Sequence, residues 1–141
     1  MTELDYAWAA GIMDGEGCIS LNKKKNGNHG LSVKIKMTHL PTLQRFQEIF
    51  SGSQKIREDT HARKNGRKSG WSLTYSAVEA VRPLLEKIEP YSVTKKDEVR
   101  SMLLYISLLP RTKKGQKKVL SERFYQELRE LKRYNFTGGK N

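Results

Sequence analysis

Hydrophobic positions recur along this chain with two periods, one near 3.6 and one near 2, and the switches between them mark its elements. From Leu4 to Met13 the residues are apolar on nearly every side, which predicts a buried helix. At helical spacing Leu4, Trp8 and Ile12 make a stripe expected to fill a core. Beside it runs a strip of small residues, Ala7, Ala10 and Gly11, along which a second backbone can approach closely. The period then drops to 2. Ile19 and Leu21 alternate with Ser20, Asn22 and Lys24, and Leu31, Val33, Ile35 and Met37 alternate with Ser32, Lys34, Lys36 and Thr38. These two strands, 19–24 and 31–38, are predicted to form a hairpin through the turn-rich stretch 25–30.

Helical spacing returns after Pro41, with Leu43, Phe46, Ile49 and Phe50 on one side until Gly52. Strands are predicted over 54–60 and 70–76, where Trp71, Leu73 and Tyr75 alternate with Ser72, Thr74 and Ser76. Ser76-Ala-Val-Glu79 reads as a capping box for a helix running to about Ile88, with Pro83 resetting its first turn. Thr94 is placed to cap the next helix, whose Val99, Met102, Leu103 and Ile106 face one way and which stops at Pro110. The basic run 111–118 reads as an exposed linker. A last amphipathic helix, 121–134, turns Phe124, Leu128 and Leu131 inward, and 135–141, with Gly138 and Gly139, reads as a disordered tail. The pattern is that of one α+β domain over 1–134, with its core in about 4–110.

Charge narrows the partner. Against 27 Lys and Arg stand 15 Asp and Glu, a net +12, with a sequence pI near 9.9, which favours a polyanion and first of all nucleic acid. A membrane is disfavoured, because no long apolar run exists and the cations fall on strands and loops. The single cysteine, Cys18, can make no internal disulfide and is expected to be a small buried hydrophobe; with no signal-peptide core at the N-terminus, an intracellular setting is expected. His29, His39 and His61 are widely spaced and give no zinc pattern.

Asp14 and Glu16 sit at the glycine-rich end of the first helix. One carboxylate oxygen and one exposed carbonyl there suit a hard divalent cation such as Mg2+. The surrounding segment from Ala9 to Gly17 reads AAGIMDGEG and resembles the LAGLIDADG motif of homing endonucleases. The resemblance extends over about 4–110 and leaves the last 30 residues uncovered. It implies an αββαββα fold with a concave antiparallel DNA-binding sheet, plus a C-terminal helix. No second such segment occurs, and in the family a chain with one motif acts as a homodimer whose motif helices pack across a twofold axis. Ala7, Ala10 and Gly11 would form that interface, with Asp14 holding the helix ends. Glu16 takes the place of the motif's metal-ligating acid, assisted by the Gly15 carbonyl; Asp is usual there, so the ligand arm is one methylene longer. The resemblance further puts Lys95 near the scissile phosphate and His39 where some members carry an active-site glutamine.

The implied function is that of a free-standing or intron-encoded, site-specific endonuclease. It would bind a long pseudo-palindromic double-stranded DNA as a homodimer and make a double-strand break with Mg2+, for which Mn2+ can substitute. Candidate DNA contacts are Ser20, Asn22, Lys24, Lys34, Lys36, Arg57, Ser72 and Thr74 on the outward strand faces, with Arg63 and Arg67 in the 61–70 connection. Two other classes compete. A non-cleaving binder of the same fold, an intron maturase or a DNA-binding regulator, would be indifferent to loss of Glu16. A structural RNA-binding protein would account for the charge but not for the motif helix and its acids.

Overall fold

In a computed structural model of the chain, residues 1–52, 54–60, 64, 66 and 70–137 are described. The order is α1 (Glu3–Glu16), β1 (Gly17–Lys23), β2 (His29–Met37), α2 (Leu40–Ile49), β3 (Arg57–Asp59), β4 (Gly70–Tyr75), α3 (Val78–Ile88), α4 (Lys96–Leu108) and α5 (Lys117–Thr137). Short 3-10 turns, Glu89–Tyr91, Leu109–Arg111 and Lys114–Gln116, join the later helices. The strands form one antiparallel sheet in the order β1-β2-β4-β3. Helices cover one of its faces. No helix among the described residues is long and apolar enough to cross a membrane.

Thr2 starts α1. Its side chain accepts from the Asp5 N–H, while the Asp5 carboxylate accepts from the Thr2 N–H at 2.9 Å, a closed capping box that holds the Asp5 carboxyl below its ordinary pKa. The helix runs through both motif acids instead of stopping before them, and passes straight into β1. Gly17 makes that passage possible: its backbone is extended, and a Cβ there would lie 2.6 Å from the Met13 side chain and 2.8 Å from the Met13 carbonyl oxygen. Glycine is needed here for a close approach in extended backbone, not for a turn.

Only one side of α1 is buried within the chain. Ala9, Ala10 and Met13 pack into the core, whereas Leu4 is 82% and Trp8 37% exposed, and Gly11 and Gly15 are exposed as well. The predicted Leu4, Trp8, Ile12 core stripe is thus corrected: Leu4 and Trp8 face outward and Ile12 is only half-buried. An all-round apolar helix carries no periodic signal to say which side meets its own core.

Ile19 and Leu21 of β1, Leu31, Val33 and Ile35 of β2, and Leu73 and Tyr75 of β4 meet Leu43 and Phe46 of α2 and Val81, Leu84 and Leu85 of α3 in one continuous core. The Tyr75 hydroxyl donates to the Phe50 carbonyl at 2.8 Å, so the ring is buried without stranding its polar end. The α3 cap differs from expectation. Ala77, not Ser76, holds the N-cap position, with no side-chain cap, and the helix continues through Pro83, which faces solvent.

The C-terminal helix is longer than the sequence predicts, taking in Lys117, Lys118 and residues 135–137, and residues 138–141 of the expected tail lie outside the described residues. Phe124 and Leu128 are buried against α4 and the β1–β2 hairpin, and Leu131 is half-buried. A polar pin reinforces this packing: buried His29 shares a 2.7 Å hydrogen bond between Nδ1 and Ser121 Oγ, with Nε2 3.0 Å from Glu122 Oε2.

Candidate nucleic-acid interface and active site

The end of α1 is tied to the start of α4 by three bonds. Asp14 accepts from the Val93 N–H at 2.9 Å and the Lys95 N–H at 3.0 Å, and the Lys95 ammonium donates to the Asp14 carbonyl oxygen at 2.8 Å. Asp14 thereby caps the beginning of α4 from another element. Its negative charge lies at a helix N-terminus, where the dipole favours it. The N-cap residue of α4 is Lys95, one position after the predicted Thr94, and its side chain does no capping. One Lys95 N–H is used on the carbonyl, leaving two of its three donors.

Glu16 follows two residues later, exposed, and makes no side-chain hydrogen bond or ion pair among the described residues. Gly15 beside it is exposed and open, with nothing within 4 Å of where a Cβ would stand. The register brings in the third predicted residue. Gly17 pairs with Ile35, so the C-terminal end of β2, which leads to His39, lies at the same end of the sheet as Glu16. His39 is exposed and shares a 2.7 Å hydrogen bond between Nδ1 and Thr42 Oγ1, leaving Nε2 without a partner among the described residues.

Behind this end lies Glu98, one turn into α4 and only 3% exposed. Burial pushes its carboxyl up from the ordinary range, against the opposing pull of Lys132 and Lys95. Nothing in the periodicity distinguishes Glu98 from a solvent-facing residue.

The sheet face turned away from the helices carries the polar strand residues. Cys18, Lys34 and Thr74 align across β1, β2 and β4, and Lys36, Ser72 and Arg57 align across β2, β4 and β3. Ser20, Asn22 and Ser32 are joined to one another, Ser20 Oγ to Ser32 Oγ at 3.0 Å and Asn22 Nδ2 to Ser32 Oγ at 3.2 Å. Lys36 pairs with Asp59 at 2.6 Å, whereas Lys34 has no ion pair among the described residues. Toward the β3 edge this face sinks into a hollow of about 610 Å3, lined by Lys55, Arg57, Ser72 and Thr74 together with Gln54 and Ser76. The last two and Lys55 were not singled out from sequence, although Ser76 continues the Ser72, Thr74 alternation.

No protein-family model matches the sequence, and neither does any curated protein. Solved structures do. The homing endonuclease I-CvuI, in complex with the I-CreI target in 2 mM Mg with the DNA not cleaved, aligns over 92% of this chain and 82% of its own at 20% identity, with a TM-score of 0.76. The archaeal intron-encoded homing endonuclease I-Vdi141I complexed with DNA aligns over 92% and 84% at 13% identity and TM-score 0.69. The LAGLIDADG homing endonuclease I-SmaMI, bound to cleaved DNA, aligns over 91% of this chain and 42% of its own, at 18% identity and TM-score 0.62. This chain has the LAGLIDADG homing-endonuclease fold.

On the LAGLIDADG fold the residues expected to act together are partly sorted anew. Glu16, Gly15, Asp14 and Lys95 gather at one helix end, with His39 at the same end of the sheet. Ser20, Asn22, Lys34, Lys36, Arg57, Ser72 and Thr74 share the outer sheet face, while Lys24 lies past the end of β1 in the hairpin turn. Arg63 and Arg67 lie outside the described residues. Ala10 is corrected: it is fully buried in the chain's own core and cannot form an interface between copies. Ala7 is half-buried and Gly11 exposed, so the outward side of α1 is Leu4, Ala7, Trp8, Gly11 and Gly15. Cys18 is likewise corrected from buried to exposed, with the Lys132 ammonium 3.7 Å from its sulfur. Ile19 and Leu21 turn inward, and strand alternation sends Cys18 the other way.

Proposed function

We propose that this chain is a site-specific homing endonuclease that binds double-stranded DNA as a homodimer and hydrolyses a phosphodiester on each strand. The observation that carries the proposal is the helix end: Glu16, exposed and without a side-chain partner among the described residues, ends the same helical turn whose Asp14 carbonyl anchors the Lys95 ammonium, in a chain whose sheet bears a polar and basic face. Within one chain the site is half of a centre. No group of three metal-ligating side chains occurs among the described residues, and the outward face of α1 is apolar and glycine-bearing. A twofold partner packed on that face would bring a second Glu16, and two close carboxylates favour a cation between them.

Glu16 and the Gly15 carbonyl, all oxygen donors, fit Mg2+, with Mn2+ able to replace it. The bound ion supplies Lewis-acid polarisation of the phosphate and a water made nucleophilic near neutral pH. The chain's own groups do the rest. Asp14 fixes the helix end so that Glu16 and Lys95 keep their relation. Lys95 offers its remaining N–H donors to the charge that develops on a phosphate oxygen. His39 Nε2 is free to hold a water. On the sheet, Lys34 and Arg57 suit phosphates, and Ser72, Thr74 and Gln54 suit base edges in the major groove.

The test is to incubate wild type and Glu16→Gln with a randomised duplex library in Mg2+, Mn2+ or Ca2+, sequencing bound and cut molecules. Cutting at one near-palindromic site by wild type alone, in Mg2+ or Mn2+, supports the proposal. Equal binding with no cut ends would replace it with the non-cleaving binder.

A further inference from the structure

At the end of the sheet opposite Glu16 a second hollow opens, of about 690 Å3, between the β1–β2 hairpin tip and the connection from α4 to α5. Its walls carry three cations, Lys114, Lys117 and Lys118, and no carboxylate. None of the three lysines forms an ion pair among the described residues. Lys118 is laid across the hairpin turn, for a Cβ at Gly27, whose φ is 83°, would lie 2.6 Å from its ammonium nitrogen. Neutral donors, Asn28 and Ser76, stand on the rim. The floor is apolar, built from Leu31, Val78, Tyr105 and Leu109.

Uncompensated cations repel one another and raise the cost of holding this rim together, a cost that an anion removes. The volume lies in the range of ligand sites, and the division into charged rim and apolar floor matches a ligand with one anionic end and one flat apolar body. We propose that this hollow is a nucleotide-unit site, with a phosphate ester at Lys114, Lys117 and Lys118 and a base against Val78 and Leu109. Its place at the hairpin end, far from Glu16 along the strands, puts it outside the cleavage centre. This inference rests on the nucleic-acid-binding reading for one of its two phosphate sources, a DNA strand running past the sheet; the other is a free nucleotide.

The experiment uses the full chain with Lys114→Gln/Lys118→Gln, a charge-matched control Arg82→Gln/Lys87→Gln on α3, and the sheet variant Lys34→Gln/Lys36→Gln. Each is titrated with deoxyadenosine monophosphate and with a long mixed-sequence duplex across a range of KCl. The site predicts that the hollow variant, unlike the α3 control, lowers the slope of log affinity against log salt by about 2 per protomer, beside the separate fall the sheet variant gives, or that the hollow variant alone loses mononucleotide binding. The first result assigns a strand phosphate as the source, the second a free nucleotide. Wild-type slope and unchanged mononucleotide behaviour in the hollow variant, or an equal fall in the α3 control, would overturn it. Loss confined to the sheet variant leaves the endonuclease reading standing without this site. Failure of wild type to bind duplex removes that reading, and the mononucleotide arm then decides the hollow alone.

Discussion

Gly11→Ala separates the stability of one chain from its assembly. Gly11 lies in the middle of α1, and a Cβ built there meets nothing within 4 Å. Alanine loses less backbone freedom on entering a helix, so the single chain should gain about 0.5–1 kcal/mol. If the outer face of α1 packs against its twofold copy, each dimer receives two added methyls at the closest approach. Overpacking costs about 1–3 kcal/mol per site, hence about 2–6 kcal/mol per dimer. At 1.4 kcal/mol per decade the dissociation constant rises about 30-fold to 10^4-fold. Sedimentation velocity over a concentration series reads the assembly, and thermal melting at a dilution where the chain is monomeric reads the protomer. The expected pair is a melting temperature raised by about 1–4 °C with a weakened dimer. A raised melting temperature with undiminished self-association would refute the placement of the interface on this face.

Four further outcomes are expected. Glu16→Gln should keep DNA affinity and lose cleavage by on the order of 10^3-fold or more, checked by gel shift in Ca2+ and single-turnover cutting in Mg2+. Asp14→Ala removes two acceptors from the Val93 and Lys95 N–H groups and should cost about 1.5–3 kcal/mol in chemical denaturation. Glu98→Gln should raise the melting temperature at about pH 7: burial lifts the folded carboxyl above its unfolded value, so the native state is favoured while Glu98 is protonated and loses that support as pH rises through the folded value. Glutamine mimics the neutral form, so the gain should vanish in melts at about pH 4, and a loss at pH 7 would contradict the sign. On the sheet, Lys34→Gln should reduce the salt slope of DNA binding by about 0.9, and Lys36→Gln by less, since Asp59 already neutralises Lys36.

Element order and the two faces of the sheet are legible in the sequence because alternation in β1, β2 and β4 is strict and the register keeps it. What is not legible is tertiary. Asp14 reaches residues 79 and 81 positions away, and accepts the Val93 and Lys95 N–H groups from α1. The capping signals at Ser76 and Thr94 therefore point to the right helices and the wrong residues. The orientation of α1 was equally hidden, since Leu4, Trp8, Ala10 and Met13 are all apolar and only the packing of α2, α3 and the sheet selects Ala10 and Met13 for the inside. His29 gives no signal at all, because its partners Ser121 and Glu122 lie 92 and more residues later.

The three bonds between Asp14 and the Val93–Lys95 segment give the first motif acid a way to act on the proposed chemistry without touching it. Two of them fix the main chain before α4 and the third fixes the Lys95 side chain to the last turn of α1, the turn that also ends in Glu16. A shift of the helix end would move the carboxylate and the ammonium together, preserving their separation. A loosened α4 start would move Lys95 alone and spoil it. In the proposed cleavage centre, rate would depend on that separation through preorganisation. Asp14→Asn, which keeps one acceptor, should therefore depress cleavage more than its loss of stability accounts for, whereas Lys95→Met should abolish the same fraction of rate while leaving the α1–α4 backbone joint and the melting temperature nearly intact.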